Sequence, residues 1–178
     1  KIMSKILIIA GPSGGGKTTV AQIIASRFDG FEMTRSHTTR HRRADGRDDE
    51  YIYVSEDEFE NIRSSGGFIE YTSYSGTSYG TSVAEINRIL SKGKNPLLVL
   101  DHNGVRAFKN SECGKDVIAL YIYCQLETAR ERLVSRTMES KDSKAALQTV
   151  DKRHKINILD YLDMKARVNL FDAFIEND

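Results

Sequence analysis

The chain has 178 residues, of which 39% are hydrophobic and 29% are charged, a composition typical of one globular domain. Its 26 lysines and arginines balance 25 acidic residues, so the formal charge of +1 gives no overall field to attract a nucleic acid. The longest apolar runs, Ile6 to Ala10 and Pro96 to Leu100, are far shorter than the roughly 20 residues that cross a bilayer. We therefore expect a cytoplasmic protein that binds neither nucleic acid nor membrane.

Short apolar runs alternate with helical patterns along the chain. Residues 5–10 form a β-branched apolar run without alternation, which is typical of a strand buried on both faces of a parallel sheet. After a glycine-rich break, apolar residues recur at helical spacing from Lys17 to Phe28. We predict further strands at residues 51–54, 96–100, 117–124 and 173–176, short strands or loops at 68–71 and 74–79, and helices at 56–62, 82–90, 127–136 and about 150–168. This alternation favours an α/β fold with a central parallel sheet and right-handed crossovers.

Two polar stretches interrupt the pattern. Residues 35–50 contain five arginines, two histidines and four acids but a single apolar residue, Ala44. We interpret this stretch as a polar insertion rather than as core. Residues 137–148 are also polar and separate two predicted helices, which is typical of a lid that closes over bound substrates.

The most specific motif lies between the first predicted strand and the first predicted helix. Residues 11–18 spell GPSGGGKT and match the phosphate-loop pattern G-x-x-x-x-G-K-[ST]. The glycines let successive backbone N–H groups turn toward a phosphate, Lys17 reaches the outer phosphates, and the Thr18 hydroxyl can ligate Mg²⁺. The expected triphosphate site, in which Ser13 and Thr19 serve as loop and helix-start residues, comprises Gly11, Ser13, Gly14, Gly15, Gly16, Lys17, Thr18 and Thr19.

A second substrate has to be recognised elsewhere in the chain. Residues 36–43 spell SHTTRHRR, and Tyr51 follows shortly after. Arginine side chains bind phosphate oxygens in pairs with a fixed geometry that lysine does not reproduce. From the spacing alone, a clamp for a monophosphate and a solvated charged loop both remain open.

Several ordered motifs resemble those of guanylate kinase. They are GPSGGGKTT at 11–19, SHTTR with a further arginine at 36–43, DEYIYVS at 49–55, GFIE at 67–70 and SGTSYGT at 75–81. Further along, LDHNGV at 100–105 is similar to the family stretch D-x-D-x-Q-G-V. Order and spacing match from about Lys5 to Asp178, and three arginines fall where the lid arginines of the family do: Arg132, Arg136 and Arg153.

The resemblance implies a three-layer P-loop NTPase fold with a central parallel β-sheet. It divides the chain into a core (residues 1–35, 82–124 and 150–178), a GMP-binding insertion (36–81) and a lid region (125–149). It also implies a nucleoside monophosphate kinase that transfers a phosphoryl group from ATP to GMP or dGMP with Mg²⁺. We expect this enzyme to be a monomer or a homodimer.

The resemblance also assigns the GMP site. It places the phosphate on Arg40, Arg43, Tyr51 and Tyr79, and the guanine on Ser36, Glu70, Thr81 and Asp101. The chemistry of guanine agrees with this division, because its N1–H and N2–H₂ donors lie on one edge that a carboxylate can accept. Adenine would instead present a lone pair at N1 to that carboxylate.

The catalytic roles implied by the resemblance fall to Lys17, Arg136 and Arg153, which would surround the moving phosphoryl group. For phosphoryl transfer, the protein has mainly to neutralise charge and to align donor and acceptor. No general base is required, since the phosphate of GMP is already a nucleophile near neutral pH. Arg132 is expected to steady the lid.

Two features differ from the usual family pattern. Val99 stands where the family has an acid, two residues before Asp101. We therefore expect Asp101 or another group to organise Mg²⁺ and its waters, and we expect reduced activity. The arginine loop spells TRHRR rather than T-R-x-P-R and is one residue short before Tyr51. Arg42 is therefore an alternative to Arg43 in the phosphate clamp.

Two other functions are compatible with the same fold. One is a kinase that phosphorylates a sugar phosphate, such as ribose 1,5-bisphosphate, but Ser36, Glu70 and Thr81 would have no task without a purine. The other is a non-catalytic guanylate-kinase-like binding module. Such a module has no need of the intact Gly16-Lys17-Thr18, whereas Val99 is the one feature in its favour.

Overall fold

The central layer of the protein is a five-stranded sheet that is parallel throughout. The computed structural model describes residues 4–42, 50–74, 76–138 and 143–178. In spatial order the strands are β2 (Phe31–Met33), β7 (Asn95–Val99), β1 (Ile6–Ala10), β8 (Val117–Tyr123) and β9 (Ala173–Glu176). The predicted α/β fold with a central parallel sheet is confirmed.

A second, four-stranded sheet is built from the residues between Ser36 and Ser82. Its spatial order is β4 (Tyr51–Tyr53), β3 (Ser36–Thr38), β6 (Thr77–Ser82) and β5 (Phe68–Tyr74). Strands β3 and β4 are parallel, and the other pairs are antiparallel. A register shift in β5 between Phe68 and Glu70 sets Glu70 directly opposite Thr81. Such bulges re-aim a side chain next to a functional site.

Helices cover the central sheet and connect it to the second sheet. They are α1 (Lys17–Arg27), α2 (Glu56–Ser64), α3 (Val83–Ser91), α4 (His102–Lys109), α5 (Leu126–Met138), α6 (Ser143–Leu162) and α7 (Met164–Arg167). Side chains cap three of the starts by accepting backbone N–H groups: Ser55 for α2, Ser82 for α3 and Asp101 for α4. Among the described helices, none is long and apolar enough to span a membrane.

The core lies on both faces of strand β1. Ile8 belongs to a cluster with Leu98 and Phe108, whereas the next residue, Ile9, packs with Ala21 of α1 on the opposite face. All five of these side chains are buried. The continuous apolar run of β1 is therefore explained by burial on both faces, as its sequence predicts.

A buried carboxylate joins the two sheets where the chain crosses between them. Glu85 of α3 accepts the backbone N–H of Arg35 at 3.0 Å and two N–H groups of Arg88 at 2.8 Å. Arg88 continues to Glu32 on the edge strand β2, at 2.7 Å. Burial of Glu85 opposes its charge, but these donors outweigh burial and lower its pKa. These bonds thereby fix the start of β3, at Ser36, to α3, the helix that follows β6.

Several elements differ from those expected from the sequence. The stretch 35–50 is not entirely outside the core, since residues 36–38 form β3 and Thr38 is fully buried. Strand β2 and helix α4 were not predicted, because β2 has three residues and α4 opens with the polar and flexible sequence His-Asn-Gly. Helix α6 already begins at Ser143, inside the segment 137–148 that was interpreted as a polar lid; residues 139–142 lie outside the described part.

We expect Phe108→Ala to destabilise the fold strongly. The ring is fully buried between α4 and the sheet, and truncation of such a residue costs about 3–5 kcal/mol through lost burial and the cavity left behind. Urea denaturation measures this loss, and the matched control is Phe28→Ala, because Phe28 is 57% exposed. Equal losses for the two variants would contradict the packing of α4 described above.

Candidate active site

The loop between β1 and α1 packs tightly against the neighbouring backbone. At Gly11 an added Cβ would lie 1.9 Å from the carbonyl oxygen of Ile122, and at Gly14 one would lie 2.4 Å from that of Ala129. Both glycines also have positive φ angles, 145° and 86°. Glycine is therefore required at these two positions both by space and by backbone conformation.

Two asparagines from distant parts of the chain hold this loop in place. Asn157 of α6 accepts the N–H of Ser13 at 3.0 Å and donates to its carbonyl oxygen at 2.8 Å. Asn177, just after β9, donates from Nδ2 to the carbonyl oxygen of Gly15 at 3.0 Å. Both backbone groups of Ser13 are thus occupied within the protein, so this residue can face a nucleotide only through its side chain.

Lys17 lies at the start of α1 and is the partly buried cation of the loop. Its ammonium donates to the carbonyl oxygen of Pro12 at 2.8 Å. Burial and the positive charge of Arg136, followed by that of Arg153, lower its pKa to about 8, although Asp160 acts in the opposite direction. A bound anion therefore stabilises the charge of Lys17 more than it would stabilise that of an exposed lysine.

The two arginines predicted to act in catalysis lie near this lysine. Arg136 of α5 and Arg153 of α6 both have exposed side chains, yet each is close enough to lower the pKa of Lys17. The structure thus brings together the three residues Lys17, Arg136 and Arg153. Arg132 donates to the carbonyl oxygen of Asn177 at 2.8 Å, which ties α5 to the end of β9.

An open cavity of about 620 Å³ lies between the loop and the second sheet. Thr18 lines it from the loop side, while Ser36 and Tyr51 line it from the second sheet. The neighbouring strands β3 and β4 hold Ser36 and Tyr51 side by side in register. Thr18 and Thr19 are exposed, whereas Gly14 and Gly15 are buried.

An arginine and three tyrosines form an aromatic cluster at the predicted phosphate clamp. The guanidinium of Arg40 lies 4.8 Å from the ring centre of Tyr51, which is 6.1 Å from the rings of both Tyr53 and Tyr79. Arg40 Nε is buried and has no hydrogen-bond partner among the described residues. Burial raises the pKa of Tyr51, so its hydroxyl remains a donor at neutral pH. These groups can therefore all donate to an anion.

The choice between Arg42 and Arg43 is not decided by the structure. Arg43 lies outside the described residues. The guanidinium of Arg42 stacks over the ring of Tyr53 at 4.9 Å, next to the Arg40 cluster.

Three of the residues predicted to bind the base lie close together beside β5 and β6: Glu70, Thr81 and Asp101. Glu70 accepts the hydroxyl of the fully buried Thr81 at 2.7 Å. Burial and the nearby carboxylate of Asp101 raise the pKa of Glu70, while the bond from Thr81 lowers it. Asp101 and Glu70 line one cavity of about 280 Å³. Two facing carboxylates favour a ligand that brings hydrogen-bond donors between them.

The described residues contain no group of three or more His, Cys, Asp or Glu side chains that could hold a metal ion. Thr18 nevertheless presents an exposed hydroxyl to the cleft. This donor set fits Mg²⁺, which keeps several waters and binds mainly through substrate phosphates. Val99 also lines the cleft and supplies no metal ligand.

The glycine loop between a buried strand and a helix, at the carboxyl end of the middle strand of a parallel sheet, defines a P-loop nucleotide-binding protein. A family model described as guanylate kinase matches residues 3–178. A guanylate kinase of Chlamydia trachomatis serovar D is 38% identical over 146 residues, which span 81% of this chain and 68% of that protein. A guanylate kinase of Chlamydia muridarum is 33% identical over 99% of this chain and 81% of its own length.

A solved structure agrees with these relatives in fold. The crystal structure of guanylate kinase from Anaplasma phagocytophilum superposes with a TM-score of 0.67 and 22% identity, covering all of this chain and 79% of that one. The chain belongs to the guanylate kinase family.

Sequence reasoning missed three residues that shape the site: Asn157, Asn177 and Glu85. Asn157 contacts a residue 144 positions away in the sequence, and Asn177 one that is 162 positions away. Their local surroundings carry no motif that signals such contacts. Glu85 could have been noticed as a charged residue among the apolar positions of α3, where it is 3% exposed.

We expect Lys17→Met to stabilise the protein at neutral pH while abolishing turnover. Because the pKa of Lys17 falls from an ordinary 10.5 to about 8, the folded state holds its proton less well than the unfolded state does. The charged lysine therefore costs stability below pH 8, and this cost is relieved as the pH rises from 8 toward 10.5.

Urea denaturation at several pH values checks this expectation. The stability gained by Lys17→Met should be largest at pH 8 and below and should shrink at higher pH. The control is Lys155→Met, at an exposed position of α6, where no such gain is expected. A gain that grows between pH 8 and 10 would show that the burial of Lys17 is misjudged.

Proposed function

We propose that this chain transfers the terminal phosphoryl group of ATP to GMP or dGMP, giving ADP and GDP or dGDP. One observation carries the proposal: a single cleft is lined on one side by the loop helix, at Thr18, and on the other by the second sheet, at Ser36 and Tyr51. Donor and acceptor nucleotides can therefore meet with their phosphates facing each other.

Guanine recognition is assigned to Glu70, Thr81, Asp101 and Ser36. The pair of carboxylates beside Thr81 suits the N1–H and N2–H₂ edge of guanine, whose donors separate the two negative charges. Adenine has no proton at N1, so it would leave the partly buried Glu70 without that donor. A site of this kind discriminates by roughly 10⁴ or more.

The phosphate of GMP is assigned to Arg40, Tyr51 and Tyr79, together with Arg43 or Arg42. Arg40 brings a buried N–H without a partner in the described part of the chain, and Tyr51 brings a protonated hydroxyl. Charge-assisted bonds from guanidinium to phosphate are about twice as strong as neutral ones. The clamp thus orients the attacking oxygen toward the loop.

Charge neutralisation at the reacting phosphates is assigned to Lys17, Arg136 and Arg153. When bound with ATP, Mg²⁺ adds neutralising charge at the outer phosphates, and the Thr18 hydroxyl would hold it together with water. A positioned arginine contributes roughly 10³ to 10⁵ in rate to such reactions. We propose that segments 36–81 and 125–149 act as the GMP-binding part and the lid that bring these groups into place.

The direct test is release of ADP from ATP and Mg²⁺ with different acceptors. GMP and dGMP should support turnover, whereas AMP, UMP and ribose 1,5-bisphosphate should not, and Lys17→Met provides the inactive control. ADP formation with AMP equal to that with GMP would overturn the guanine assignment. Turnover with the sugar phosphate alone would assign the acceptor site to another class, and no turnover with any acceptor would indicate a binding module.

We expect Glu70→Gln to impair GMP use selectively. The amide loses the negative charge and one acceptor for the guanine edge, so KM for GMP should rise about 10- to 100-fold while KM for ATP stays within about twofold. Steady-state kinetics with each substrate varied gives both values. Glu60→Gln on the exposed face of α2 is the matched control; equal rises of both KM values would contradict the role of Glu70 in recognising the base.

A further inference from the structure

Asn157 makes a two-point contact with the phosphate loop from a helix that lies far away in sequence. Its side chain is fully buried, with Oδ1 3.0 Å from the amide nitrogen of Ser13 and Nδ2 2.8 Å from the carbonyl oxygen of Ser13. A single amide orientation satisfies both bonds, because one group accepts and the other donates. The contact therefore fixes both the distance and the orientation of α6 relative to the loop.

Asn157 lies in a row of polar residues on one side of α6. Arg153, Asn157 and Asp160 are spaced four and three residues apart, so they share one face of the helix. All three act on the loop, since Asn157 bonds Ser13 while Arg153 and Asp160 shift the pKa of Lys17 in opposite directions. Asp160 is itself held by Arg167 at 2.9 Å.

We infer that Asn157 is a positioning residue that places the guanidinium of Arg153 against the reacting phosphates by anchoring α6 to the loop. This inference rests on the catalytic role proposed above for Arg153. The side chain of Arg153 is long and exposed, so its own packing does not fix the position of its guanidinium. Asn157, one turn later, bonds the loop and so fixes the helix that carries Arg153.

A purely structural role for Asn157 predicts something different. Loss of two buried hydrogen bonds would lower stability and distort the loop, and it would do so whether or not Arg153 is present. A positioning role predicts that the loss of activity depends on Arg153. A double-mutant cycle separates these two roles, because it measures how far the effect of one substitution depends on the other residue.

The experiment compares the unmodified chain, Asn157→Ala, Arg153→Ala and the double variant, with kcat and KM measured for ATP and GMP. We expect Arg153→Ala to lower kcat by roughly 10³. Asn157→Ala should lower kcat about 10- to 100-fold with KM for GMP within about twofold, as an interaction made at the transition state requires. On the Arg153→Ala background, Asn157→Ala should lower kcat less than about threefold.

Two further variants keep the test decisive. Asn157→Asp preserves the volume and the bond from the Ser13 amide but places a carboxylate oxygen against the Ser13 carbonyl, so it should lower kcat in the same Arg153-dependent way. It replaces the alanine variant in the cycle if circular dichroism shows that Asn157→Ala does not fold. Asn87→Ala, at an exposed position of α3, is the control and should leave kcat unchanged.

The outcomes distinguish this inference from the proposed function. An equal loss of kcat with and without Arg153, or no loss in either Asn157 variant, overturns the positioning role while the GMP kinase assignment stands. An unchanged kcat in Arg153→Ala overturns both the inference and the role of that arginine, yet turnover with GMP still tests the reaction itself. Failure of GMP as an acceptor for the unmodified chain is a failure of the proposed function.

Discussion

The active site depends on holding three cations close together before any phosphate is bound. Lys17 is partly buried, and the positive charges of Arg136 and Arg153 add to the effect of burial, so its pKa falls to about 8. Asp160 offsets part of this repulsion. The two arginines remain exposed, where solvent weakens their mutual repulsion. The negative charge of a triphosphate would neutralise the remaining excess of positive charge. Binding of the anion and the close approach of the three cations therefore favour each other.

The second sheet is fixed to the core by a charge network as well as by apolar contacts such as that of Ile69. Glu85 is almost fully buried, and its partners Arg35 and Arg88 connect it to the strand entry and to Glu32. Buried ion pairs contribute little net stability because desolvation offsets their attraction. Their value here is geometric, since the bond to the Arg35 amide sets the start of β3 and hence Ser36.

The sequence predicted those parts of the fold and the site in which one local pattern carries the information. The β1 run and the glycine loop follow from short-range chemistry, and the structure places Glu70 and Thr81 in contact as their assignment to one base requires. The contacts of Asn157 and Asn177 could not be predicted, because both residues bond to loop residues more than 140 positions away in the sequence. Strands β2 and β3, of three residues each, were missed because no periodic pattern marks them, although β4, of the same length, was predicted from its alternating residues.

Position 99 is Val in this chain where the guanylate kinase pattern has an acid, so we expect no carboxylate from this position to help hold Mg²⁺. Val99 packs beside the apolar cluster of Ile9 and Ala21 under α1. Of the two acids that line the cleft, Glu32 bonds Arg88 and Lys92, whereas Glu50 is exposed. Thr18 presents an exposed side chain to the same cleft from the loop. We therefore expect nucleotide phosphates and water to supply most of the ligands of Mg²⁺, which makes the placement of the arginines more important for catalysis.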